Sequence, residues 1–308
     1  MNRYCISGLS VLSEIALPGL MDLPPGGAEP LVVIRRGEVP AALPDATAVH
    51  ATHQIAGDLF LFTVPNVARF LLRAGREITV ACDDGVPEAD VAIFVSGTVF
   101  GILLHQRGQF VLHASAVRVG DAAVLFCGNS GAGKSTMAAA LGKHGYAMLA
   151  DDLCAVQSGD GRGPLVQPDG RRLKLWAHAV EKLDLAERRG DAVRSKIEKF
   201  YIEPLQAATT ALPVRAVYLL RETRAPAKDG IVEANFVDAT VMIRKNAYRP
   251  RLVRALDQQT HYLQSAAAMI AKAGVYALHR PLDFGAFPQT VSRLEGHWRA
   301  LGLLETRS

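Results

Sequence analysis

Residues 128–135 read GNSGAGKS, with the apolar run AAVLFC just before them at 122–127 and a helical pattern after them at 134–144. The stretch fits GxxxxGK[ST]. Its glycines let the backbone curl so that successive N–H groups face one anion. Lys134 then reaches the terminal phosphates of a nucleotide, and the Ser135 hydroxyl is placed to ligate Mg²⁺. The positive end of the helix that begins there adds to the attraction. The residues expected against the nucleotide are Gly128, Asn129, Ser130, Gly131, Ala132, Gly133, Lys134, Ser135 and Thr136. Strand, glycine loop and helix in this order predict an α/β fold.

Sixteen residues past Ser135 comes Asp151, in LADD at 149–152. A helix over 134–144 rises ~16 Å, and the short strand YAMLA at 146–150 returns about as far. Asp151 and Asp152 therefore come back to the level of the loop, at the carboxyl end of a strand expected to run parallel to 122–127. A carboxylate there meets a metal ion or a reacting hydroxyl. Adjacent residues point in different directions, so one can serve the metal while the other accepts a proton. FVLHASAV (110–117) and DAAVLFCG (121–128) read as a hairpin turning at 118–120. The expected register sets 118 opposite 122 and 113 opposite 127. It brings His113 beside the loop, where it either bonds a γ-phosphate oxygen, pairs with an Asp, or is a hydrogen-bonded core residue.

The chain has 308 residues, 49% of them hydrophobic and 21% charged, with a net charge of +4. These values fit a globular protein with a sizeable core. The basic bias suits a phosphate ligand and is too small to argue for nucleic acid. Cys5, Cys82, Cys127 and Cys154 form no CxxC and no zinc-ligand spacing, which predicts reduced thiols in a cytoplasmic protein. Residues 6–20 are apolar but interrupted by Glu14 and Pro18, so no signal peptide is expected. No run is read as long enough for a membrane span.

Residues 1–105 carry strand-like runs at 30–37, 58–64 and 76–82, with a short helix expected over 64–75 and one or two buried helices over 91–108. They are expected to form a smaller strand-rich domain ahead of a phosphate-loop domain at 106–308. Downstream, strands are predicted at 171–176, 196–202 and 214–222, a helix at 177–190, a loop at 158–170, and mainly helix from 238 to 273 with a break at Pro250. Trp176 and Trp298 are expected in the core. A cation is needed to neutralise a transferring phosphoryl group. Arg171, Arg172, Lys174, Lys196, Lys199, Arg244, Lys245, Arg249, Arg251 and Arg254 are all candidates, and the sequence does not choose among them.

With LHASAV around His113, GNSGAGKS at 128–135 and LADD at 149–152, the chain resembles the bacterial HPr serine kinases. Their fold is related to the core of PEP carboxykinase. The short interval between loop and Asp pair is characteristic of that fold. The resemblance implies ATP with Mg²⁺, Asp151 as the base that activates a serine hydroxyl, Lys134 on the β- and γ-phosphates, Ser135 and Asp152 near the metal, and His113 near base and phosphate. That family assembles as hexamers, so a homo-oligomer is among the expected states. Asn129 stands where the bifunctional members carry Asp, and DGRRLKLWAHAVEKL (169–183) departs from the signature used for the reverse reaction with phosphate. Neither phosphorylase activity nor HPr as substrate follows. YCISGLSVLSE (4–14) and LLHQRGQFVLHASAV (103–117) are more similar to the HPr-kinase-like proteins of lasso-peptide biosynthesis. Those phosphorylate a serine, commonly the C-terminal one, of a precursor peptide. The expected function is thus an ATP-dependent serine kinase acting on a peptide or protein, with no nucleic acid or membrane partner. The alternatives are a nucleotide-binding switch, a kinase of an HPr-like protein, and a kinase of a small molecule.

Overall fold

The computed structural model describes residues 1–23, 29–157, 163–194, 197–224 and 229–305. The described residues form a mixed α/β fold with three sheets. Ala122–Cys127, the strand before the glycine loop, lies inside the largest of them. It runs parallel to Leu212–Glu222, which runs parallel to Gly274–Arg280. On its other side it pairs antiparallel with Ala114–Val119, which pairs antiparallel with Met148–Ala150. Two antiparallel steps make Met148–Ala150 run in the same sense as Ala122–Cys127. The expected direction is right, but the first strand of the hairpin is interposed. All four strands of that common sense end at one edge of the sheet.

Side chains on these strands alternate between two apolar layers. Val124, Phe126, Tyr218 and Leu220 face the layer containing helices Lys134–Lys143 and Phe287–Ala300. Ala123, Leu125, Cys127, Val217 and Leu219 face the layer containing helices Phe236–Lys245 and Gln259–Ile270. A strand covered on both faces reads as an unbroken apolar run, which is why AAVLFC shows no alternation. Each large side chain buried this way contributes about 1.5–3 kcal/mol.

Two features of the hairpin differ from expectation. Val119 pairs with Ala122 and Arg118 with Ala123, so the turn is the two residues 120–121 and the expected register is one residue out. Gly120, at φ +58°, supplies the left-handed backbone such turns require. The expected strand 110–117 is also broken at His113. Phe110–Leu112 leaves the hairpin and pairs with Cys154–Gln157.

Residues 2–82 supply an eight-stranded sheet, in the order Asn2–Ile6, Leu9–Ser13, Val32–Arg36, Glu77–Cys82, Ala68–Arg73, Leu59–Val64, His53–Ala56, Ala48–Val49. The helix expected at 64–75 is in fact the strand Ala68–Arg73. Its buried residues are Ala68, Phe70 and Leu72, a period of two. Asn66 at φ +60° and Ala74 at φ +51° turn the chain at either end, so hairpin pairing on both sides outweighs the helical spacing of Val67, Phe70 and Leu71. The segment 88–106 is one helix with a π turn at Val95–Val99. It is long and apolar enough to cross a membrane, contrary to the expectation of no such run, but most of it is buried in this fold. Val95, Val99, Phe100 and Leu103 pack with Phe60, Phe70 and Ile78, and Tyr248 and Leu252 join that core.

The third sheet joins Leu173–Trp176, Ile197–Ile202 and Arg189–Arg194 antiparallel. The helix expected at 177–190 is only Ala177–Lys182, ended by Asp184 at φ +51°. Trp298 is fully buried, whereas Trp176, expected in the core, is 49% exposed. The expected loop 158–170 contains the strand Leu165–Val166; residues 158–162, like Lys196, lie outside the described residues.

Candidate nucleotide site

The loop leaves Cys127 at the carboxyl edge of the sheet and enters helix Lys134–Lys143. Gly128, Gly131 and Gly133 sit at φ +151°, +85° and +85°, where a side chain would be strained. Gly133 carries a second constraint. A Cβ there would lie 2.6 Å from Nη2 of Arg280. That guanidinium, at the end of strand Gly274–Arg280, donates to the Ala132 carbonyl at 2.8 Å and braces the loop. Lys134 is buried and donates to the carbonyls of Gly128 (2.9 Å) and Asn129 (3.3 Å). Burial lowers its pKa.

Asn246 ties the start of the loop to His113. Its Oδ1 accepts from the Gly128 N–H at 2.9 Å, and its carbonyl accepts from the His113 N–H at 2.8 Å. Its Nδ2 donates to the Met242 carbonyl, which fixes the amide's orientation.

The two aspartates face different neighbours. Asp151 is buried, and its Oδ1 accepts from Ser135 Oγ at 3.0 Å and from Ser115 Oγ. Burial raises its pKa against the effect of those two hydrogen bonds. Asp152 has a left-handed backbone at φ +70°. Its oxygens lie 3.4 Å from His113 Nε2 and 3.5 Å from Lys174 Nζ. Burial would raise its pKa, but Lys174, His113, Arg171 and Lys199 together hold it down at about 2. Burial and the charge on Lys134 lower the pKa of His113, and Asp152 works against them.

These groups open onto a cleft of ≈440 Å³. Lys174, Trp176 and Lys199, from the three-stranded sheet, form one wall, and Arg280 and Phe284 form another. Lys199 Nζ sits 5.7 Å from the Trp176 ring. Of the predicted loop residues, Ser130, Gly131, Gly133, Lys134, Ser135 and Thr136 line the cleft, with His113, Asp151 and Asp152. Gly128, Asn129 and Ala132 complete the loop behind them. Of the candidate cations, Lys174 and Lys199 reach the cleft, whereas Arg171 is buried against Asp169 at 2.6 Å. Arg172 instead donates to the Pro18 carbonyl. Arg244, Lys245, Arg251 and Arg254 are exposed away from it. Such a site can hold a polyphosphate, neutralise it, and present two carboxylates of unlike basicity beside it.

Several site residues were not singled out from the sequence. Ser115 could have been, because alternation puts it on the same face as Val117, toward the loop helix. Arg280 ends the run VYALHR, a strand that was not anticipated. Its carboxyl end falls at the edge where such sheets bind ligands. Asn246 and Trp176 carry no such signal.

No family model matches the chain, and no curated protein matches it. Among solved structures it is similar to the Hpr(Ser) kinase/phosphatase from Coxiella burnetii, at 12% identity and a TM-score of 0.33, over 62% of this chain and 98% of that one. So loose a likeness leaves the reading of the site to its own geometry.

Proposed function

We propose that the chain is an ATP-dependent serine kinase, acting on a peptide or protein and, by its sequence resemblance, on the C-terminal serine of a lasso-peptide precursor. The observation that carries the reading is a phosphate loop whose Ser135 hydroxyl bonds one carboxylate while a second carboxylate of different basicity stands in the same cleft. A nucleotide switch needs only the first of these. Transfer also needs a group to take the acceptor's proton.

In this reading the loop N–H groups and Lys134 hold the phosphate chain, and Lys174, Lys199 and Arg280 supply further positive charge. Asp151 takes the serine proton. The serine oxygen forms a bond to the γ-phosphorus as the bond from that phosphorus to the β–γ bridging oxygen breaks, and ADP leaves with the electron pair. Mg²⁺ fits the donors present. Ser135 and one aspartate, which share a hydrogen bond at the loop, would hold it together with phosphate oxygens and water. When bound, it neutralises charge on the phosphates.

Asp151 leads as the base because its pKa is raised, whereas Asp152 near 2 is a weak base. One observation favours the reverse. Asp151 is the carboxylate bonded to Ser135, and Asp152 is the one next to open space on two sides. The test is mass spectrometry of a serine-ended precursor peptide incubated with the protein and ATP-Mg²⁺. A gain of one phosphate on the serine supports the kinase reading. Nucleotide turnover with every offered peptide unmodified argues against it. Substituting each aspartate by asparagine then separates the roles, since the metal-associated one shifts the Mg²⁺ requirement.

A further inference from the structure

His113, Asp152 and Lys174 line the phosphate cleft and also a second one of ≈390 Å³. Phe94, Thr98, Arg194, Tyr248 and Arg249 help to enclose this second cleft. Its charge is lopsided. Lys174 pairs with Asp152, but among the described residues neither Arg194 nor Arg249 forms an ion pair with a carboxylate.

Both guanidiniums lie beside aromatic rings, and one is also hydrogen-bonded. Arg249 donates from Nη2 to Thr98 Oγ1 at 2.6 Å and lies 5.8 Å from the Tyr248 ring centroid. Arg194 lies 5.3 Å from the Phe94 ring centroid. The backbone of Arg249 is at φ +47°, ψ +69°, a left-handed conformation in a non-glycine residue directly before Pro250. Such strain persists only where the surroundings enforce it, and it clusters at ligand sites. The helix 88–106 supplies Thr98 and Phe94, so the large N-terminal core fixes one wall of this cleft.

Two forked donors facing the same space match the planar, two-oxygen geometry of a carboxylate. The neighbouring cleft already accounts for the phosphate donor. We propose that the second cleft seats the acceptor, and that Arg249 and Arg194 clamp a carboxylate adjoining the hydroxyl to be phosphorylated. The proposal rests on the kinase reading above and narrows its substrate to a carboxylate-bearing serine peptide. That carboxylate is either the peptide's own C-terminus or an acidic side chain beside the serine.

The test is equilibrium binding to the full-length protein saturated with ADP-Mg²⁺, which needs no transfer. Three synthetic peptides serve as probes: one ending in serine with a free carboxylate, the same with a C-terminal amide, and an amidated one with glutamate after the serine. The free acid should bind about ten- to a hundredfold more tightly than its amide, the range of a charge-assisted bond pair. Recovery of affinity in the glutamate peptide assigns the side-chain source, and no recovery assigns the C-terminus. Arg249→Ala and Arg194→Ala should each shrink the acid-to-amide ratio toward one, and Arg249→Lys should leave an intermediate ratio. Unchanged ADP affinity in these variants shows that they are folded. Equal binding of all three peptides, no binding of any of them, or a carboxylate preference indifferent to both arginines overturns the proposal. A peptide that binds with the acid preference yet gains no phosphate from ATP sinks the kinase reading instead and leaves the carboxylate clamp.

Discussion

The two clefts that meet at Asp152 are built in different ways. The first has one side formed by a contiguous stretch, residues 130–136, whose glycines fix its shape, and its other sides are formed by side chains from distant segments. The second has no such contiguous side and is lined from six separate segments, around residues 93–98, 113, 152, 174, 194 and 248–249. A backbone-built side tolerates little variation in its own stretch. A side-chain-built site can change what it takes by single substitutions.

The largest effect that would break this comparison is on Asp151, which belongs to the phosphate cleft alone. Asp151→Asn should lower transfer by about 10²–10⁴-fold while nucleotide affinity, measured by titration, stays near that of the parent. Equal loss of both would make Asp151 a metal or structural residue. Lys134→Ala should weaken nucleotide binding about tenfold or more and transfer with it, if its ammonium serves both as proposed.

Asn246 offers a test from behind the loop. Asn246→Ala leaves the buried Gly128 N–H without its acceptor and should cost about 1–3 kcal/mol in urea unfolding. A variant as stable as the parent would mean that the loop start finds another partner.

Acidity separates the two aspartates. Asp152 has a folded-state pKa near 2, below its ordinary 3.8. Its contribution to stability is therefore complete above about pH 4 and is lost as pH falls toward 2. Asp151 is shifted upward, so if it is the base, the acid limb of the transfer rate should lie above the ordinary aspartate range. An acid limb below pH 4 would hand the role to Asp152. The smallest effect is optical. Nucleotide binding should change the fluorescence of Trp176 at the cleft wall, and Trp176→Phe should abolish the change, since Trp298 is buried in the core.

What could be read beforehand follows from the same division. The loop, its helix and the distance to Asp151 are set by contiguous spacing, so GNSGAGKS and LADD sufficed to predict their neighbourhood. The hairpin register came out one residue off because a turn of two residues and one of three look alike around Gly120. Ala68–Arg73 read as helix because three apolar side chains happened to fall at helical spacing, and only pairing with strands on either side reveals the alternation. Arg280 and Asn246 reach the loop from 152 and 118 residues beyond Gly128, respectively, and no local pattern records such approaches. The choice among ten candidate cations depended on which strand of the small sheet faces the cleft, a tertiary fact.

Lys134 is bonded to the carbonyls of its own loop. The loop is thus held in a closed circuit, and on the reading proposed above a nucleotide would engage Lys134 in exchange for those carbonyls rather than order a slack segment. Calorimetry should register this as a small heat-capacity change, without the large negative value that accompanies folding coupled to binding.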